Sequence, residues 1–350
     1  MPPTKLPASD ARLQALKNWL QLQTDTFGLQ LDTLQPASSD ASFRRYFRLR
    51  ANGRTLIAMD APAPHEDCRP FVRIAALLGD AGLNVPKVLA QDTAQGFLLL
   101  TDLGAHTYFE RIQSGLNDSS LQILYRDALR ALVRMQQAGT AGLPAYDQTR
   151  LLDELALFPE WYAGRHCGYR LSPADGAVLQ EIFAALTQNN ADQPSVFVHR
   201  DFHSPNLMVS DHEQYGSNPG IIDFQDALSG PLTYDLASLV MDARTTWEEP
   251  QQLDWAIRYW EAARDAGLPV PADFADLHQA YEWMSLQRNL RILGVFSRLS
   301  HRDGKHHYLD HLPRVNAYVR QVASRYAVFR PLLRLLDKVE NRQATVGYTF

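Results

Sequence analysis

Strand-like alternation in this chain of 350 residues is concentrated before Thr101-Asp102-Leu103-Gly104, and the switch there limits the folds open to it. After that point apolar residues recur mostly at helical spacing. Residues 43–49, Phe-Arg-Arg-Tyr-Phe-Arg-Leu, put Phe43, Arg45, Phe47 and Leu49 on one face and Arg44, Tyr46 and Arg48 on the other. That is the period of a strand with one buried side. Asn52-Gly53 signals a hairpin turn. Residues 55–59 supply the returning strand, and 88–92 and 96–100 supply two more. A first helix carries Leu13, Leu16, Trp19 and Leu20 behind a Ser9 or Asp10 cap. A second, over 66–79, aligns Phe71, Ile74, Ala75 and Leu78. From about residue 105 helices are expected over 121–137, 151–163, 174–188, 235–243, 251–266, 275–299 and 311–337. Short apolar strands at 196–198 and 220–222 interrupt them. The pattern predicts an α+β chain with a small β-rich N-lobe over 1–102 and a larger helical C-lobe over 103–350.

Charge and cysteine content exclude several function classes. The formal net charge is −5 and the isoelectric point about 6.1, without the basic stripe of a nucleic-acid binder. The longest apolar runs, such as 97–100, are far too short to span a bilayer. The N-terminal residues lack a basic region followed by an apolar core, so no signal peptide is expected. Cys68 and Cys167 are too few and too far apart for a disulfide framework or a metal-ligand pair. A reduced, cytoplasmic protein with no nucleic-acid or membrane partner is expected.

Chemistry concentrates in His199-Arg200-Asp201-Phe202-His203-Ser204-Pro205-Asn206 and in Ile222-Asp223-Phe224. Phosphoryl transfer asks a protein mainly for positioning and charge neutralisation. It needs a carboxylate at the attacking hydroxyl and oxygen ligands for Mg²⁺, which favours carboxylates together with phosphate oxygens. His-x-Asp-x-x-x-x-Asn supplies both on one loop, with Asp201 as base and Asn206 on a metal. Asp223, seventeen residues past Asn206 at the end of an apolar segment, is the second metal ligand. His199 is expected to brace the loop by hydrogen bonding, with Asp235 as a candidate partner. Asp235 also reads as an acid at a helix N-terminus, where the macrodipole favours it. Gly304-Lys305-His306 lacks the rest of a P-loop.

The run Val198–Met208, then Ile222-Asp223-Phe224-Gln225-Asp226-Ala227, then Gly230-Pro231 to Asp235-Leu236-Ala237, resembles the aminoglycoside phosphotransferase and choline kinase family over roughly residues 30–300. The resemblance implies a protein-kinase-like fold, ATP and Mg²⁺ as cofactors, and the roles just given to Asp201, Asn206 and Asp223. It implies adenine binding at the Thr101 carbonyl and the Leu103 amide, with Leu98 and Leu100 as apolar walls. Two departures stand out. Residues 38–42 hold no glycine where the family's phosphate loop would lie, so Ser42 and its neighbours bind phosphate or form a plain turn. Residues 55–60 hold no lysine, so the phosphate charge falls to Arg44 or Arg45, unless these form only a solvated strand edge. Glu66 is the candidate for the glutamate that pairs with such a lysine.

The acceptor is suggested by charge. Between Tyr281 and His311 lie Arg288, Arg291, Arg298, Arg302, Lys305 and four histidines against Glu282, Asp303 and Asp310. That balance suits an acceptor with a carboxylate, or is a solvated helix face. Residues 287–296 and 302–309, with Arg44–Leu49 and 59–62, are similar to the family's anomeric amino-sugar kinases of cell-wall recycling. That branch implies transfer to the C1 hydroxyl of N-acetylmuramate and N-acetylglucosamine, with His203, Gln225, Arg288, Asn289 and Arg291 as substrate-binding candidates. Kinases of choline, homoserine or aminoglycosides, and a pseudokinase regulator, are the alternatives.

Overall fold

A computed structural model describes residues 10–39, 43–63, 65–210 and 212–341. In chain order these form α1 (Ala11–Gln21), α2 (Thr24–Phe27), β1 (Leu29–Ser39), β2 (Arg45–Ala51), β3 (Arg54–Asp60), α3 (Arg69–Asp80), β4 (Val88–Asp92), β5 (Phe97–Thr101), α4 (Tyr108–Gln113) and α5 (Asp118–Gln136). There follow α6 (Gln148–Leu155), a π-helical segment (Phe158–His166), α7 (Pro173–Ala191), β6 (Ser195–Val198), β7 (Leu207–Met208), β8 (Gly220–Ile221), β9 (Leu228–Pro231) and α8 (Tyr234–Val240). The chain ends with α9 (Glu249–Asp265), α10 (Phe274–His301), α11 (Leu312–Arg325) and α12 (Arg330–Val339). No described helix is long and apolar enough to cross a membrane.

Two compact units result, one of the described residues up to Met135 with Pro205–Asp226, the other of Gln136–Ser204 with Ala227 onward. They do not meet at one point of the chain, whereas the sequence suggested a lobe boundary between 102 and 103. Helix α5 and the 205–226 segment belong with the sheet because β7 and β8 pack on the backbone that leaves β5. A Cβ on Gly220 would stand 3.0 Å from Leu103 Cβ, and one on Gly104 2.9 Å from the Val209 carbonyl. Both glycines are therefore required by close approach.

The first unit is an antiparallel sheet in the order β1-β2-β3-β5-β4. Phe47 pairs with Ala58 and Ala58 with Leu99. This face buries Leu49, Leu56 and Phe97 against Leu13, Leu16, Trp19 and Leu20 of α1. The opposite face carries Tyr46 and Arg48, paired with Met59 and Ile57. The alternation holds from Arg45 to Leu49, but Phe43, read onto the buried face, precedes β2 and is 62% exposed. Strand β1 was not anticipated. It contains Pro36 and few apolar residues, which an edge strand tolerates. Helix α3 begins at Arg69 rather than at 66, because Pro70 fits only the first turn.

In the second unit β6 pairs antiparallel with β9, and the 28-residue α10 is the central buried helix. The helix expected over 151–163 stops at Leu155 and restarts as the π-helical segment, whose first turn holds Pro159. The helix expected over 311–337 breaks at Tyr326, which is extended (φ −109°, ψ 123°) ahead of Pro331 in the first turn of α12.

Candidate active site

Asn206 and Asp223 are brought together by a two-residue ladder. Leu207 pairs with Ile221, and the Ile222 N–H donates to the Asn206 carbonyl at 3.1 Å. The Asn206 Nδ2 then lies 3.3 Å from Asp223 Oδ2. Asp223 takes a left-handed backbone, φ 66°, a conformation that costs a non-glycine residue roughly 1–3 kcal/mol and collects at functional sites. Its Oδ1 accepts from Gln225 Nε2 at 2.8 Å. Phe71 of α3 packs on Phe224, ring centroids 4.9 Å apart, which anchors this corner to the sheet. An amide beside one carboxylate fits Mg²⁺, a hard ion bound by one or two carboxylates plus phosphate oxygens. No cluster of three or more His, Cys, Asp or Glu that could hold a metal exists among the described residues.

The same unit holds a cavity of about 340 Å³, lined by Tyr46, Arg48, Ile57, Leu100, residues 101–105, Asn206 and Asp223. Its size lies within the range of small-molecule sites. Arg48 fixes the backbone along one wall. Its Nε and Nη2 grip Asp102 at 2.6 and 2.9 Å, and Nη2 also donates to the Gly104 carbonyl at 2.7 Å. The Asp102 hydrogen bond raises the Arg48 pKa against the opposing effect of burial.

Asp201 stands in the second unit, on the loop that follows β6. Buried Asp235, at the start of α8, holds this loop: its carboxylate accepts the His199 N–H at 2.6 Å and the Arg200 N–H at 3.0 Å. The brace between residues 199 and 235 therefore exists, and it engages backbone amides of the loop. Arg200 is left-handed, φ 78°. Burial pushes the Asp235 pKa up to about 7, although both N–H groups oppose it. Asp201 itself has a side chain 41% exposed. Burial would raise its pKa, but His203 when protonated, then Arg291, Arg288 and Arg200, hold it at about 2. His203 Nε2 is 3.8 Å from Asp201 Oδ1. Burial first, then Arg244, depresses the His203 pKa, which favours the neutral imidazole.

A model of the phosphotransferase enzyme family matches residues 33–274. The chain belongs to the phosphotransferase enzyme family. It is 45% identical over 337 residues to a Pseudomonas aeruginosa protein named N-acetylmuramate/N-acetylglucosamine kinase, covering 94% of this chain and 97% of that one. A Pseudomonas putida protein of the same name is 42% identical, covering 96% and 98%. Among solved structures, a spectinomycin phosphotransferase in complex with ADP and spectinomycin shares the fold at a TM-score of 0.58. It is 13% identical and the match covers 90% of this chain and 98% of that one.

The other residues singled out in this phosphotransferase have the following surroundings. Arg45 lies on the face opposite Tyr46 and is committed to Asp10 and Asp60, since the strand period sends it to the α1 side. Arg44, on the Tyr46 face, pairs with Glu66 at 3.3 Å. Ser42 lies outside the described residues. Gln225 Nε2 donates to Asp223 at 2.8 Å and to Asp226 at 3.5 Å. Arg291 is held by Glu154 at 3.3 Å, and Arg200 reaches the same carboxylate at 3.4 Å. Arg288 and Asn289 are buried. The sequence reading missed Arg48–Asp102, Glu154 and Asp242, whose carboxylate accepts the Ser204 N–H at 3.2 Å. Each acts across a long sequence separation with no local motif; only the acidic residue beside the hinge was a usable signal.

Proposed function

We propose that this phosphotransferase moves the γ-phosphoryl group of ATP to the C1 hydroxyl of N-acetylmuramate and N-acetylglucosamine, in peptidoglycan recycling. The near-full-length identity of 45% and 42% to two proteins named for these sugars carries the reading. Asp201, Asn206 and Asp223 supply the chemistry it needs. With a pKa near 2, Asp201 is ionised at any working pH and is a weak base. It therefore serves chiefly to orient the C1 hydroxyl by accepting its hydrogen bond, which suits a hemiacetal hydroxyl more acidic than an ordinary alcohol. In-line attack breaks the bond from the γ-phosphorus to the β–γ bridging oxygen and leaves ADP. The C1 hydroxyl oxygen bonds to the γ-phosphorus and its proton passes to Asp201 or to water as the new ester forms.

Thr101 and Leu103 are the backbone groups assigned to adenine. Asn206 and Asp223 would hold Mg²⁺, which neutralises phosphate charge when bound, and Gln225 keeps Asp223 oriented. Protein kinases pair a third-strand lysine with a helix glutamate. Here β3 has Met59 opposite Tyr46, and Arg44, paired with Glu66 just ahead of β2, would supply the missing cation.

Incubation with N-acetylmuramate and MgATP, followed by NMR, tests the proposal. Phosphorus coupled to the anomeric proton is expected. Phosphate at another carbon, or no product, would sink it. Asp201→Ala is expected to abolish sugar-dependent ADP release while ATP binding persists.

A further inference from the structure

The arginines of α10 divide by partner: Arg291 has a carboxylate, whereas Arg288 and the less buried Arg298 do not among the described residues. Arg291 has Glu154. Arg288, one turn earlier on the same helix, is only 4% exposed, yet no carboxylate pairs with it among the described residues. Its Nε and Nη1 are buried without any hydrogen-bond partner. The nearby acids are engaged elsewhere: Glu154 by Arg200 and Arg291, Asp235 by two backbone amides, and Asp242 by Ser204 and the Arg244 N–H. A buried guanidinium with unmet donors is costly unless an anion reaches it. It also lies within electrostatic reach of Asp201, His203 and Asp235. His203 Nδ1 and the Tyr234 hydroxyl lack partners as well, and both groups feel the Arg288 charge, so the arginine belongs to a buried cluster of polar groups with unmet hydrogen bonds.

We propose that Arg288 is the receptor for a carboxylate on the acceptor sugar, and so the residue that distinguishes N-acetylmuramate from N-acetylglucosamine. The inference rests on the sugar-kinase reading above. The two sugars share a ring and differ in the lactyl ether, which carries the carboxylate. The planar guanidinium offers parallel N–H donors that match a carboxylate in a bidentate pair. A transferred phosphoryl group is the other oxyanion that such a group recognises.

The test is the ratio of kcat/KM for N-acetylmuramate to that for N-acetylglucosamine, in the wild type and in Arg288→Met. The ratio is expected to fall about 30- to 100-fold, whatever loss the two sugars share. Arg288→Lys, which keeps charge but not the fork, is expected to fall between. A second arm uses the unaltered enzyme: N-acetylmuramate and its neutral carboxamide are compared. The acid is expected to be preferred by a similar factor, and Arg288→Met to be indifferent between them. An unchanged ratio with equal losses on both sugars would assign Arg288 to the phosphoryl group or to the fold and overturn the proposal. So would a wild type indifferent to acid and carboxamide, an arm that stands even if Arg288→Met does not fold. A wild type that phosphorylates neither sugar overturns the functional reading itself, a result distinct from lost discrimination.

Discussion

Replacement of Asp235 by alanine is expected to disable the catalytic loop without touching it. The carboxylate is fully buried and accepts the His199 and Arg200 N–H groups at 2.6 and 3.0 Å. Truncation leaves both donors buried and unpaired. Each costs about 1–3 kcal/mol, so the gross loss is about 2–6 kcal/mol. Removing a carboxyl that burial already disfavours, as its pKa of about 7 records, returns part of this. A net destabilisation of about 2–4 kcal/mol is left. The kinetic effect is separate. Arg200 holds φ 78°, a strained conformation that the two hydrogen bonds sustain, and its release moves the adjacent Asp201. A displacement of about 1 Å at a reacting group costs about 100-fold in rate. Urea unfolding of the variant should show the midpoint falling at unchanged slope, and ADP-release kinetics should show kcat falling by about 100-fold. A stability change under about 0.5 kcal/mol together with kcat within threefold of wild type would refute the bracing role.

The remaining expectations concern other parts of the molecule. Because burial raises the native Asp235 pKa from 3.8 to about 7, its contribution to stability is full below pH 4 and is lost as pH rises toward 7. The slope reaches at most about 1.4 kcal/mol per pH unit. Asp235→Asn should remove that slope, and parallel stability–pH curves would contradict it. Gly294→Ala would set a Cβ 2.5 Å from the Leu157 backbone. Thermal unfolding should register a loss of about 3 kcal/mol from overpacking. Gln225→Ala removes one hydrogen bond that orients Asp223 and should raise the Mg²⁺ concentration for half-maximal activity about tenfold. Glu66→Gln removes the partner of Arg44. It should lower kcat/KM for ATP about tenfold, as an activated phosphate site loses orientation, with the sugar KM unchanged.

Much of this architecture was legible locally. The alternation of residues 43–49 assigned Phe47 and Leu49 to the core and Tyr46 to the other face, because successive side chains in a strand point oppositely. The same alternation carries Arg45 away from the cavity, a consequence overlooked when it was grouped with Arg44. The breaks after Leu155 and Arg325 were missed because apolar periodicity continues across them, while Pro159 and Pro331 act on backbone hydrogen bonding. Strand β1 was invisible because an edge strand needs little apolar pattern. At the candidate site, the spacing from Asp201 to Asn206 and on to Asp223 marked the chemistry before any geometry was known.

What the sequence determined by itself was the type of chemistry and the alternation of faces, both of which are short-range properties of spacing. Tertiary structure decided which charges are already satisfied. Arg288 and Arg291 are equal in sequence, three residues apart in one basic stretch. Only packing reveals that Glu154, far away in the chain, neutralises Arg291 and leaves Arg288 buried with unmet donors. Compensation of charge depends on distance in space, and a one-dimensional pattern of arginines does not contain it.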